Sequence, residues 1–574
     1  MTSVEKNTRK FISNDFKVTA WDDVKPYFET LKLYEINSAS DLKTWMLKRS
    51  ELETALQEDL AWRYIRMTCD TENKELEEAF NFFVGEIEPN IAPYAQELNL
   101  KFLNSPFLNE LHDERFNNLI RQTKRMVEIY RDENIPLLAE LHQKEQTYGS
   151  ISGAMTITVD GNEITLQQAS NYLKDSNRTK REEVYLKIWE RRLADKNKLD
   201  DLFTELIALR HKIAVNAGFE NFRDYSFASM GRFDYTPDDC FRFHESIAKH
   251  VVPLNNAFDA QRKSDLKLET LKPWDTEVDT DGKSPLKPFA NGNEMMEKTI
   301  KCFTEVHPFF GECMQHLKQL NRVDLDSRKG KAPGGYNYPL YETGVPFIFM
   351  NSTGLLRDLV TIVHEGGHAV HSILDHPLEI ADFKSTPSEV AELASMGMEL
   401  ISMEHWHHFF NANDLKRAKL QHLEDVVSVL PWIATVDKFQ HWVYEHPGHS
   451  VDERENYWNT LQNEFGGNVV NWKGQELIRK NIWQKQLHIF EVPFYYIEYG
   501  MAQLGAIALW RNYKQNRTVA VEQYIAALKL GYTKTIGEIY NAAGIRFDFS
   551  EAAISELMAF VKNEMELIKN SAEQ

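Results

Sequence analysis

The chain has 574 residues, 42% hydrophobic and 26% charged, with a formal net charge of −20. This is the composition of a globular protein long enough for more than one folding unit, and its acidic balance excludes nucleic acid and anionic membranes, whose partners are basic. No apolar run reaches the roughly 18 residues that span a bilayer, the start MTSVEKNTRKFISNDFK lacks the apolar centre of a secretory signal, and Cys69, Cys240, Cys302 and Cys313 are too sparse for a disulfide framework, so free thiols and a cytoplasmic location are expected.

Helical spacing dominates the chain. Segments 41–67 and 118–151 carry apolar residues three and four apart over many turns, and Pro136 fits only as a kink or a boundary. MTITVDGNEITL, 155–166, instead alternates every second residue around Asp160-Gly161, a β-hairpin pattern. Helices then resume and run unbroken through residue 190, where an N-terminal helical region with its hairpin (1–190) is expected to pass into a second helical region (191–574). The Pro-, Gly- and Asp-rich stretch 270–294 is expected to be a long surface loop. A second non-helical patch, 329–354, ends in PFIFMN, its best strand. The fold class is mainly α, with one hairpin and a small sheet beside the candidate site.

VTIVHEGGHAVHSIL, Val360 to Leu374, reads as a helix that Ser352 or Thr353 can cap and Asp375-His376-Pro377 ends. At about 100° per residue, His364, His368 and His371 share one face. Leu359, Ile362, Val363, Val370 and Ile373 form the opposite, buried stripe. His364 and His368 can hold one ion, with Glu365 beside them as general base: the H-E-x-x-H arrangement of zinc hydrolases. His371 lies roughly 10 Å along the axis from His364, too far to share that ion, and is expected to pack behind the site. Gly366 falls in the apolar stripe and Gly367 beside the histidines. A missing side chain at 366 admits a packed core neighbour; one at 367 leaves room for an approaching helix or peptide.

A third ligand must come from another element. In STPSEVAELASMGMELISM, Thr386, Pro387 and Glu389 read as a capping box, which gives Glu389 a local task. Glu392 and Glu399, seven apart on one apolar-flanked face, remain as equal candidates. Further on, HIFEVPFYYIEYGMAQLGA places Pro493 where a helix can start, followed by Tyr496 and Tyr499 three apart.

HEGGHAVH followed by ELASMGME resembles the H-E-x-G-H-x-x-H and E-x-x-S-x-x-x-E signatures of the thimet oligopeptidase and oligoendopeptidase F zinc metallopeptidases. AELAS at Ala391 to Ser395 favours the oligoendopeptidase F branch. LRHKIAVNAGFENFRDYSFASMGRFDYTP, KGKAPGGY and the hairpin extend the likeness over most of residues 150–574. The resemblance implies a large helical zincin-type endopeptidase with a deep channel, acting on oligopeptides with one Zn2+ held by His364, His368 and Glu392. Glu399 then supports a ligand, Glu365 activates water, His488 and Tyr499 donate to the oxyanion, and Tyr496 holds substrate. Tyr495, one turn from Tyr499, competes for a substrate-facing place. PFIFMN is expected to pair with substrate backbone. The family usually carries a bulky residue where this chain has Gly366, a departure that concerns packing. Two alternatives stay open: a carboxypeptidase or dipeptidase on the same scaffold, or a non-catalytic helical peptide-binding protein with a vestigial metal site. Oligomeric state is not legible.

Overall fold

Apolar stripes at helical spacing along nearly the whole chain must be buried against one another, and helix packed on helix is the result. The computed structural model describes residues 9–571 apart from Lys329 and Pro333; the first eight residues of the N-terminal stretch lie outside the described residues. Helices Trp21–Leu33, Ala39–Cys69, Glu88–Leu103 and Arg115–Ile129 enclose a first core around Phe28, Trp45, Phe102 and Phe116. Pro136 lies in the opening turn of helix Asn134–Gly153, so it marks a boundary. A second, much larger core runs from Leu141 to Met565 and includes the expected stripe of Leu359, Ile362, Val363, Val370 and Ile373. Residue 190 lies inside helix Arg178–Ala194.

The hairpin pairs β1 (Thr156–Val159) with β2 (Asn162–Thr165). Asp160 and Gly161 both have positive φ, 51° and 80°, which is what a tight two-residue turn between right-twisted strands demands.

The small sheet has β3 (Val323–Asp326), β4 (Tyr336–Tyr338) and β5 (Phe347–Ser352) in the order β3-β5-β4. β5 runs parallel to β3 and antiparallel to β4. PFIFMN therefore does not offer an edge to substrate. Its continuous apolar run is the mark of a central strand, and the outer strand on that side is β4.

Stretch 270–294 is not a loose surface loop either. Trp274, Val278, Leu286 and Phe289 are buried in it, and Asp275, wholly buried, is gripped by Arg178 and Arg181 at 2.8 Å each. The apolar residues set among its prolines and glycines, together with Asp275, are its anchors.

Candidate metal centre

The histidine helix spans Leu356–Asp375 and the glutamate helix Ser388–Ser402. Both expected caps fail. Leu355, not Ser352 or Thr353, is the N-cap of the first, and the Asp358 carboxylate reaches back to accept from the Thr353 and Leu355 N–H groups at 2.9 Å each. Pro387 is the N-cap of the second, and no side chain caps it. Glu389 instead turns inward and accepts from the Tyr235 hydroxyl at 2.6 Å. A buried phenol offers that carboxylate a stronger claim than exposed backbone does.

The two helices cross at Gly367. A Cβ there would stand 2.7 Å from Ala394 O and 2.7 Å from Ser395 Cα, so only a glycine permits this approach. Gly366 faces the other way: a Cβ would stand 2.7 Å from the Phe303 ring, which fills the room a bulky residue would need.

That crossing brings His364, His368 and Glu392 together. One ligand atom from each lies within 4.8 Å of the others. Glu392 Oε2 is 3.4 Å from His364 Nε2 and 3.9 Å from His368 Nε2. Bonds of about 2.0–2.2 Å around a tetrahedral zinc put ligand atoms roughly 3.3–3.6 Å apart, so the donor set fits such an ion with little movement. Glu399 Oε1 lies 2.6 Å from His364 Nδ1. A carboxylate at that distance holds a proton on Nδ1, so Nε2, which faces Glu392, is the nitrogen that can take a metal in exchange for its own proton. Glu392 and Glu399 thus meet opposite sides of one imidazole. Glu392 also accepts from Tyr495 Oη at 3.1 Å and Ser395 Oγ at 3.2 Å.

The charges suit a cation. Burial opposes ionisation of Glu392, but His364 and His368 outweigh it and bring its pKa down to about 2. Burial depresses His368 to about 4, which keeps a free lone pair, and lifts Glu365 to about 7, near the value a general base needs at neutral pH.

These residues open into a cavity of about 390 Å3, lined also by Asn337, His371, Tyr495 and Tyr499. His371 is buried, neutral through desolvation, and its Nε2 lies 3.9 Å from Asp375 Oδ2, outside the three-residue cluster. His488 and Tyr496 are not in the lining. The His488 ring stands 4.9 Å from Tyr496 and 5.8 Å from Tyr499, and its Nδ1 lies 2.8 Å from Gln486 Nε2. The helix expected to start at Pro493 starts at Tyr496. Phe494 takes a left-handed φ of 68° and breaks the register, which is how Tyr495 comes to face Glu392.

Two features escaped the sequence reading. Asn337 on β4 donates to the Glu365 backbone oxygen at 3.4 Å, linking edge strand and histidine helix. Arg232 meets Glu498 at 2.7 Å and also bonds the Phe494 carbonyl oxygen. With Tyr235 on Glu389, this network ties the starts of the glutamate and tyrosine helices together. Only RFDY, Arg232 to Tyr235, signals it, and no spacing rule marks that motif.

A helical body around a cavity, with two histidines one turn apart, a glutamate between them and a carboxylate from the next helix, has the form of a metallopeptidase. Known proteins agree. Residues 171–559 match Peptidase family M3 and residues 11–130 the Peptidase M3 N-terminal domain. An oligoendopeptidase F homolog of Borreliella burgdorferi is 23% identical over 561 residues, 92% of this chain and 90% of its own. Oligopeptidase PepF of Bacillus subtilis is 23% identical over 397 residues, 67% of this chain and 57% of its own. The structure of PZ peptidase A with an inhibitor superposes with a TM-score of 0.90 at 25% identity, covering 97% of this chain and 99% of that one. The chain belongs to peptidase family M3, on its oligoendopeptidase F branch, and is a metallopeptidase that hydrolyses oligopeptides.

Proposed function

We propose that the protein is a zinc endopeptidase whose cage is His364, His368 and Glu392. The observation that carries this is the convergence of their three ligand atoms to within 4.8 Å of one another, beside Glu365. Zinc bound there supplies a Lewis acid and acidifies water. Glu365 takes the proton of the attacking water and returns it to the leaving amine. Tyr499 donates to the oxygen on which negative charge develops, and His488, beside it and kept neutral by burial, holds the Tyr499 ring in place. Tyr495 steadies Glu392. The outer edge of β4 receives the peptide backbone as an added strand, which favours extended oligopeptides. Tyr496 and His371 act through packing. Four free cysteines support a cytoplasmic location.

The test is Glu365→Gln on an oligopeptide blocked at both ends. Wild type cleaves it internally; the variant keeps its zinc and loses turnover by about 10²-fold or more. Cleavage at wild-type rate by the variant overturns the mechanism, and resistance of the blocked peptide to wild type points to an exopeptidase.

A further inference from the structure

A second group of metal-ligating side chains lies between helix Pro237–His250 and helix Ala412–Glu445. Each helix contributes a pair one turn apart, Cys240 with His244 and Asp437 with His441. The side chains are wholly interior: Cys240, His244 and Asp437 are 0% exposed and His441 is 1% exposed. The Cys240 sulfur, an Asp437 oxygen and a His441 nitrogen lie within 4.8 Å of one another, and His244 Nε2 lies 2.8 Å from Asp437 Oδ2. Around them the packing is aromatic, with Phe227, Phe241 and Phe494 against His441.

Hydrogen bonding accounts for only part of the cluster, the contact of His244 Nε2 with Asp437. Both ring nitrogens of His441, Nδ1 of His244 and Oδ1 of Asp437 have no partner, whereas buried polar atoms are almost always paired. His441 Nε2 stands 3.3 Å from Asp437 Oδ2, the edge length of a tetrahedral zinc site, yet without hydrogen-bond geometry. With the His441 proton on Nδ1, the Nε2 lone pair and the Asp437 carboxylate are placed to share one cation in an apolar interior. Among the described residues no lysine or arginine pairs with Asp437. A divalent ion with one thiolate, one carboxylate and neutral imidazoles leaves no net charge to bury. Sulfur and imidazole donors select zinc over calcium or magnesium.

We infer that this cluster is a second, buried zinc site, held by Cys240, Asp437 and His441, with His244 hydrogen-bonded to the Asp437 carboxylate and orienting it. Binding displaces the Cys240 thiol proton to solvent. The site clamps the two helices and, through Gln440, which accepts from the Phe494 N–H at 2.7 Å, steadies the turn that presents Tyr495 and Tyr499.

The proposal is independent of the catalytic cage, and sulfur separates the two, because that cage contains only nitrogen and oxygen donors. Purified full-length protein is assayed for zinc, then reloaded with Co2+ and read for thiolate-to-cobalt charge-transfer absorption in the near ultraviolet. The expected result is about two metal equivalents per chain and a thiolate band that survives His368→Ala but disappears, with one equivalent, in Cys240→Ser. Wild type with a single equivalent and no thiolate band overturns the proposal, as does a band that persists in Cys240→Ser. If Cys240→Ser does not fold, His441→Gln is read in the same way, and the wild-type measurements need no variant. A single equivalent that does carry the thiolate band supports this site and defeats the catalytic one.

Discussion

Gly367→Ala tests how the metal cage is built. The new Cβ would sit 2.7 Å from Ala394 O, 2.7 Å from Ser395 Cα and 2.9 Å from Met398 Cβ. Carbon contacts are comfortable at roughly 3.5–4.0 Å, so the helices must part by about 1 Å. The nearest obstacles are backbone atoms, which cannot rotate away, so the glutamate helix itself must move. Glu392 is one turn from Ser395 and moves with it. Metal–oxygen bonds tolerate only about 0.2 Å of error, so a displacement several times larger opens the cage. The expected result is metal affinity lower by at least about 10- to 100-fold. Folding suffers less: overpacking costs about 1–3 kcal/mol, offset by about 1 kcal/mol of helix propensity. The control is Gly366→Ala, whose Cβ would meet the buried Phe303 ring at 2.7 Å and Met314 Sδ at 3.4 Å, core atoms away from the cage. It should lower the melting temperature and leave metal retention and kcat near wild type. Chelator titration, peptide turnover and thermal melting of both variants decide. Wild-type metal retention in Gly367→Ala, or loss of metal in Gly366→Ala alone, would refute the reasoning.

Three further outcomes are expected. Glu399→Gln removes the carboxylate that fixes the His364 tautomer and should weaken metal binding by about 10- to 100-fold, read by chelator competition; an unchanged curve would mean that the 2.6 Å contact does not orient the ring. Tyr499→Phe should lower kcat by about 100-fold with little change in KM, whereas Tyr495→Phe, which frees Glu392 Oε1, should appear mainly as faster metal loss; steady-state kinetics and zinc release distinguish them, and the reverse pattern would exchange their roles. Burial and Glu389 nearby push the Glu498 carboxyl above its ordinary range, against the pull of Arg232. The folded state therefore binds more protons than the unfolded chain above the ordinary carboxylate range, so this group makes stability fall as pH rises from there to the folded-state value, by up to about 1.4 kcal/mol per unit. Glu498→Gln should flatten the dependence in melting curves taken from pH 5 to 9, and a slope equal to wild type would exclude Glu498 as its source.

What could be read before folding was what the chain encodes within one or two turns. The one-turn spacing of His364 and His368, the apolar stripe behind them and the opposite directions of Gly366 and Gly367 follow from helix geometry alone, and the structure has each of these. Glu392 and Glu399 could not be told apart, because both lie on the same face of their helix; their difference is which nitrogen of His364 each approaches. Glu389 was misread because a capping pattern is local while its actual partner, Tyr235, is 154 residues away. The register of the tyrosines was obscured by one unannounced left-handed residue, Phe494. Central and edge places in the sheet depend on long-range pairing, and there only the unbroken apolar run of β5 hinted at the answer.

The segment joining the histidine helix to the glutamate helix has a mechanical consequence. Ile380 and Phe383 belong to that connector, yet they are buried in the N-terminal core, and the Ala381 N–H donates to Ser50 Oγ at 2.7 Å. The strut between the halves of the metal cage is therefore anchored in the N-terminal lobe. A lobe that swung outward as one rigid block to admit peptide would drag the strut and pull the halves of the cage apart. Admission must leave the Ser50 anchor at rest, so breathing has to be concentrated in parts of the N-terminal helices remote from it. Crosslinks that freeze those parts would then throttle entry without disturbing the metal.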